Sequence, residues 1–283
     1  MDDSAGMRRR LRVELKRLRN DANLTQRAVA DKLDWSPSKV IRIESGEVSV
    51  SVVDLRALAA LYKMESGPEL DQLANLARGS RRQPFSEYRD LLPKDTIKFF
   101  GYEHSASLIR SVQPLIMPGL FQIEEYSRAL FRATGSEPKE VERIIASRRE
   151  RQELFDRDDP PEIFSILDEA VLHRQIGGRA VMRRQLEHLL ALSERPRISI
   201  QVMPFARGAY SGLHGSYIYL EFPDASDPDV VFLDGARGPV SWIDDPSTTA
   251  DYQEAFVAME DLAAPRTQLA EYVERALAGF GPG

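Results

Sequence analysis

The sequence predicts two domains of different class: an all-α bundle of five short helices in residues 1–78 and an α+β domain with a mostly antiparallel sheet in 88–283. Three observations predict this. Apolar residues recur at helical spacing through the first 80 positions, whereas short β-rich runs between Gly, Pro and Asp clusters dominate the second half. Between them GSRRQPFSE (79–87) has glycine, proline and charge but no periodicity, and reads as a linker. Charge also divides there: residues 1–82 hold 16 Lys and Arg against 12 Asp and Glu, and 83–283 hold 22 against 32.

In the first domain, Leu11, Leu15, Leu18 and Ala22 mark helix 1, from Arg8 to Ala22, with Arg8, Arg9, Arg10, Arg12, Lys16 and Arg17 on its other faces, and the Arg8–Arg10 run is read as a solvated or disordered arm and not a groove-reading one. Thr25 is placed to cap a second helix, Gln26 to Leu33. Ser36-Pro37 then starts a third, since serine accepts from free helical N–H groups and proline at the first position forfeits no bond. That helix runs to Ser45, before Gly46 at a left-handed cap position. Leu55, Leu58, Ala59 and Tyr62 mark a fourth helix, and Leu70, Leu73, Ala74 and Ala77 a fifth.

In the second domain, helices are expected at 121–133, 137–157, 178–194, 247–262 and 266–278, with Ser136-Glu137-Pro138 as one start. Strands are expected at 106–112, 163–168, 198–204, 216–222, 229–233 and 240–243, the last three joined as hairpins. Tyr210, Tyr217, Tyr219 and Trp242 are read as packing residues.

Hydrophobic content of 42% with 29% charged residues excludes a disordered or membrane class. No apolar run approaches the ~20 residues of a spanning helix, and no secretory stretch follows the first residues, so a cytoplasmic location is expected. The absence of cysteine excludes disulfides, Cys-ligated zinc and thiol nucleophiles. A net charge of −6 opposes nucleic-acid binding until it is divided, when only the first domain is positive.

Residues 26–45 have the layout of two helices crossing at a steep angle. Ala30 is small enough for a close crossing, Asp34 tolerates a left-handed turn, and Val40 and Ile43 point into the core. Ser38, Lys39 and Arg42 then lie outward, with Ser36 and Pro37 leading. This stretch, LTQRAVADKLDWSPSKVIRIESG, resembles the helix-turn-helix motif of the phage-repressor (XRE) family, over residues 8–64. The resemblance implies a lambda-repressor-like, DNA-binding domain. By it Gln26 would bond a phosphate, Ser38 and Arg42 would reach base edges, and Lys39 a phosphate or base. Pro37 cannot donate to a base, which narrows readout. In that family, positions matching Arg19 and Glu44 pair across the bundle.

Four blocks of the second domain, YEHSASLIRSVQPLIMPGLFQIEEYSRAL, ASRRERQELF, LDEAVLHRQIGG and QVMPFARGAY, resemble the domain of unknown function that follows an XRE-type module in many actinobacterial regulators. Such regulators are often encoded beside a small partner protein, which the resemblance therefore suggests as a candidate ligand. From the residues, Glu169 and His173 share a helical face but supply too few ligands for a metal, and His214 stands in a glycine-rich turn. These three are the candidate ligand contacts. Gly177-Gly178-Arg179 opens a helix without any phosphate-loop fingerprint.

The expected function is a transcriptional regulator, not an enzyme, that binds a double-stranded operator as a homodimer and senses a small-molecule effector or protein partner, with no cofactor, metal or membrane. One rival is an antitoxin-like protein that neutralises a partner and represses its own gene. The other, an enzyme with a DNA-binding appendage, lacks a visible nucleophile or metal set.

Overall fold

The computed structural model describes residues 4–46, 48–64, 66–80, 84–133, 135, 137–224, 227–234 and 241–280. Residues 81–83 of the expected linker, Ser136 of one helix start and Val240 of the last strand lie outside these. The chain divides into two compact units, Met1–Ser86 and Glu87–Gly283.

Among the described residues the first unit holds five α-helices: α1 (Ser4–Asp21), α2 (Gln26–Leu33), α3 (Pro37–Glu44), α4 (Val52–Leu61) and α5 (Pro68–Gly79). Each turn is set by local chemistry. Thr25 and Ser36 cap α2 and α3 by accepting from Ala28 N and Lys39 N, and Ser51 caps α4 by accepting from Asp54 N. Leu11, Leu15, Val29, Val40, Ile43, Leu55 and Leu58 form the common core. The arginine run lies within α1, as its helical spacing predicts, but it is not a solvated arm: Arg9 is 1% exposed and Arg8 donates to Ser80 O at 2.6 Å, at the C-terminal end of α5. A guanidinium complements the carbonyls that end a helix, and its aliphatic stem packs like an apolar chain.

The second unit starts with α6 (Lys94–Ser105), followed by β1 (Leu108–Gln113), α7 (Glu124–Ala133), α8 (Pro138–Gln152) and β2 (Glu162–Asp168). The short α9 (Glu169–His173), α10 (Arg179–Ser193) and β3 (Ile198–Met203) come next, then β4 (Tyr217–Glu221), β5 (Val230–Leu233), β6 (Ser241–Ile243), α11 (Pro246–Leu262) and α12 (Leu269–Gly279). Strand order is β3-β2-β1-β4-β5-β6.

The sheet is mixed, which corrects the mostly antiparallel expectation. Strands β1, β2 and β3 run parallel, and β4, β5 and β6 add to β1 antiparallel. Parallel neighbours need a long crossover, and helices α7–α8 and α9–α10 supply two. The last three strands, β4, β5 and β6, are neighbours both in sequence and in the sheet.

Both faces of the sheet are covered. Val112, Ile166, Tyr219 and Val231 pack with Phe256 and Met259 of α11 on one face. On the other, Phe99 of α6 meets Phe232 with ring centroids 4.8 Å apart, and Tyr102 meets Phe222 edge-on. Burial on two sides explains near-continuous apolar runs such as Val230–Leu233. Tyr210, Tyr217 and Tyr219 belong to the core as expected, and Trp242 lies under Lys98 Nζ at 3.2 Å.

Candidate nucleic-acid interface

Helices α2 and α3 are joined by three residues, and their crossing rests on small and left-handed positions. Ala30 is fully buried, and Asp34 has φ +55° and ψ +40°, with its N–H bonded to Ala30 O. Without the left-handed residue the chain could not reverse so sharply. Pro37 at the start of α3 fixes the entry, and Val40 and Ile43 anchor the inner face.

The opposite face of α3 is exposed. Ser38 and Arg42 are exposed, as is Ile41 at 47%. Ile41 was not among the expected contacts, although the run Val40-Ile41-Ile43 carries the signal. A helix that buries positions 40 and 43 must turn 41 outward. Ser36 is occupied as the cap of α3, with its Oγ accepting from Lys39 N at 3.3 Å. Lys39 is also engaged: its Nζ lies 2.7 Å from Asp54 Oδ1 and 3.7 Å from the centroid of the Trp35 ring.

Beneath this face lies a polar clamp. Arg19 donates to Glu44 through Nε (2.6 Å to Oε1) and Nη2 (3.1 Å to Oε2), and through Nη1 to Leu24 O at 2.7 Å. Gln26 Nε2 donates to the same Glu44 Oε2 at 2.9 Å. One carboxylate thus ties the end of α3 to α1 and to the first residue of α2. An amide nitrogen has two donors, so Gln26 keeps one N–H beside the free backbone donors of the first turn of α2. Burial, with the nearby Glu44 charge, pushes the Tyr62 hydroxyl up to about 12.

In the second unit Glu169 and His173 face each other, with Nε2 to Oε1 at 3.7 Å. Phe205 N donates to Glu169 Oε2 at 2.9 Å, and the Phe205 ring lies 5.9 Å from that of His173. Asp168 caps α9 and accepts from Tyr210 OH at 2.8 Å, which together with burial pushes that hydroxyl up. His214 is exposed and ends a short helical turn, Ser211–His214. No group of three metal-ligating side chains occurs among the described residues.

Residues 10–73 match the family model described as a helix-turn-helix domain. Residues 97–275, well over half of the chain, match the model described as a domain of unknown function, DUF5753. The chain belongs to the DUF5753 family. No curated protein and no solved structure matches it. The helix-turn-helix match supports a DNA-binding regulator, and no described helix is long and apolar enough to cross a membrane.

The sequence blocks of the DUF5753 domain meet in three dimensions. Arg151 of α8 donates through Nε and Nη2 to the two oxygens of Glu103 in α6, both at 2.8 Å, with each side chain buried. Three glutamines fix the loop after β1. Gln122 donates to Met117 O, Gln152 to Leu120 O and Gln122 O, and Gln185 to Phe121 O. None of these partners is near in sequence to its acceptor except Gln122, so no local pattern announces them.

Proposed function

We propose that this chain is a sequence-specific transcriptional regulator that inserts α3 into the major groove of a double-stranded operator. The carrying observation is the two-sided character of α3. Val40 and Ile43 hold it from within, while Ser38, Ile41 and Arg42 are exposed on the other side. A helix of this kind fits a major groove about 12 Å wide.

Each outward side chain has a chemical counterpart there. Arg42 presents paired donors to guanine O6 and N7, Ser38 a hydroxyl to either edge, and Ile41 a methyl-rich surface to the thymine methyl. Gln26, oriented by Glu44, offers its remaining N–H to a phosphate at the start of α2. Ser36 acts through the cap that aims α3, and Lys39 reaches the backbone by exchanging Asp54 for phosphate. Arg19 and Glu44 hold the pieces together.

The DUF5753 unit is assigned a sensing role: it carries the acidic share of the chain, which repels DNA, and it takes a small-molecule effector or protein partner. The regulator acts as a cytoplasmic homodimer on half-sites spaced by about one helical turn, ~34 Å. Selection of bound duplexes from a random pool with the full-length protein tests this reading. A two-fold symmetric motif with that spacing is the expected result; recovery of no enriched sequence would refute it.

A further inference from the structure

The exposed large apolar side chains of the DUF5753 unit are not scattered. Two lie on α11, and the other three, Leu115 (62% exposed), Phe205 (58%) and Leu213 (51%), lie at one edge of the sheet. Leu115 follows the end of β1 by two residues, Phe205 follows the end of β3 by two, and Leu213 precedes β4, which enters from that same edge. The register places these ends level, with Val112 opposite Tyr217 and Asp168 opposite Met203. This is the carboxyl edge of the parallel strands, where the chain leaves β3 and crosses to the far side of β1. Open sheets bind ligands outside the carboxyl ends of their parallel strands.

The same edge holds an arginine that makes no ion pair among the described residues. Arg148 of α8 is partly buried and, among the described residues, makes no ion pair; its hydrogen bond is a long one, 3.4 Å from Nη1 to Gly119 O. Gly119 lies in the loop after β1 that the glutamines fix, and a Cβ there would come within 2.8 Å of Arg148 Nη1. Its neighbour Arg151 spends its donors on Glu103 and adds a second positive charge. Asp234, the residue after β5, lies beyond ion-pair reach and receives Ser216 Oγ at 3.3 Å. Burial first and then Arg151 press against the charged form of Arg148, and the more distant charges of Glu103 and Asp234 offset them only in part. The ring of Phe131, 5.0 Å from its Cζ, compensates only in part. A guanidinium buried without an ion pair in a folded protein is costly unless an anion completes it.

We propose that the carboxyl edge of this sheet binds a small molecule with an apolar body and one oxyanion, a carboxylate or phosphate, whose charge is met by Arg148. Leu115, Phe205 and Leu213 cover the body, while Arg148 supplies the parallel N–H donors that match an oxyanion. The inference rests on the sensing role proposed above and adds the class of ligand and its place.

Titration calorimetry of the full-length protein with octanoate and octyl phosphate tests it, with octanol and octylammonium as uncharged and cationic controls. Saturable binding of either anion, without binding of the controls, is expected, and the tighter of the two identifies the head group. Arg148→Gln should weaken that binding at least about tenfold. It should leave the melting temperature unchanged or higher, because a buried charge is removed; an arginine serving only structure would lower it. Leu115→Glu, at an exposed position, should also weaken anion binding and decides the matter should Arg148→Gln fail to fold. Binding of the controls as strong as that of the anions, no binding of either anion, or unchanged affinity in Arg148→Gln would overturn the site. Operator affinity separates the two claims. If the anion binds without changing it, the site stands and the sensing role falls; if a host effector shifts it equally in Arg148→Gln, the sensing role stands and this site falls.

Discussion

The clamp of Arg19, Glu44 and Gln26 should dominate the stability of the helix-turn-helix unit. Its side chains are nearly closed to water, with Arg19 11% and Glu44 5% exposed, so solvent cannot replace a lost partner. Glu44→Ala removes two charge-assisted bonds from Arg19 and one from Gln26, each worth roughly 1.5–3 kcal/mol when a charged group is involved. These terms do not add, since Arg19 keeps its bond to Leu24 O; breaking a buried pair and stranding the guanidinium costs about 3–5 kcal/mol as a whole. A small domain is stable by only about 5–15 kcal/mol. Since 1 kcal/mol moves the midpoint of such a domain by roughly 4–8 °C, the unit should melt at least about 12 °C lower. Differential melting of the full-length protein, followed by Trp35 fluorescence against a Trp242→Phe background, reads this unit alone. Arg19→Met should cost a similar amount, and the double variant Arg19→Met/Glu44→Leu should recover part of the loss. A coupling energy below about 0.5 kcal/mol would refute the reasoning, because distant independent sites show no more than that.

Three further outcomes follow from particular contacts. Lys39→Ala should cost the fold less than about 1 kcal/mol, because its pair with Asp54 is solvent-accessible. It should lower the salt slope of DNA binding by about one, while Asp54→Asn, by releasing Lys39, should tighten binding to every duplex; weaker binding by Asp54→Asn would contradict the proposed exchange. Ile41→Ser should leave the melting temperature within about 1 kcal/mol of wild type, since its side chain is already exposed, yet reduce preference for thymine at one position of a selected motif. His188 has its folded pKa lowered, first by burial and then by Arg195, from the ordinary 6.5. Its neutral form is favoured by folding, so the stability it contributes is present above about 6.5 and is lost as pH falls through the lower, folded value. Urea melts between neutral and mildly acid pH should show that loss, and His188→Gln should flatten it.

What the sequence disclosed was local. Thr25, Ser36-Pro37 and Asp34 act on their own few neighbours, so their caps and left-handed turn could be read directly. The layout of α2 and α3 was therefore legible, and with it the outward places of Ser38 and Arg42. Lys39 shows the limit: its outward position was readable, but its partner Asp54 stands 15 residues away on another helix. Arg9 was misread because charge pattern alone does not report how an aliphatic stem packs. In the DUF5753 unit, strands were found near their places, but pairing is not a local property. Alternation of strands 106–112, 163–168 and 198–204 with helices was the available sign of a parallel arrangement. Helix α6 escaped because its aromatic core, Phe99, Phe100 and Tyr102, suits a strand as well as a helix and no side chain caps its start. The Glu103–Arg151 pair joins positions 48 residues apart, and Arg148 gains meaning only beside Gly119.

The central claim is that α3 reads bases, and Arg42 carries the most direct test. Affinities of wild type and Arg42→Ala for a selected operator and for a scrambled duplex should be measured across a salt series. Wild type should prefer the operator with a salt slope set by its phosphate contacts. Arg42→Ala should lose about 1–3 kcal/mol of that preference, since a bidentate contact to guanine is worth this much. Equal wild-type affinity for the two duplexes, or a preference that Arg42→Ala leaves unchanged, would contradict the account.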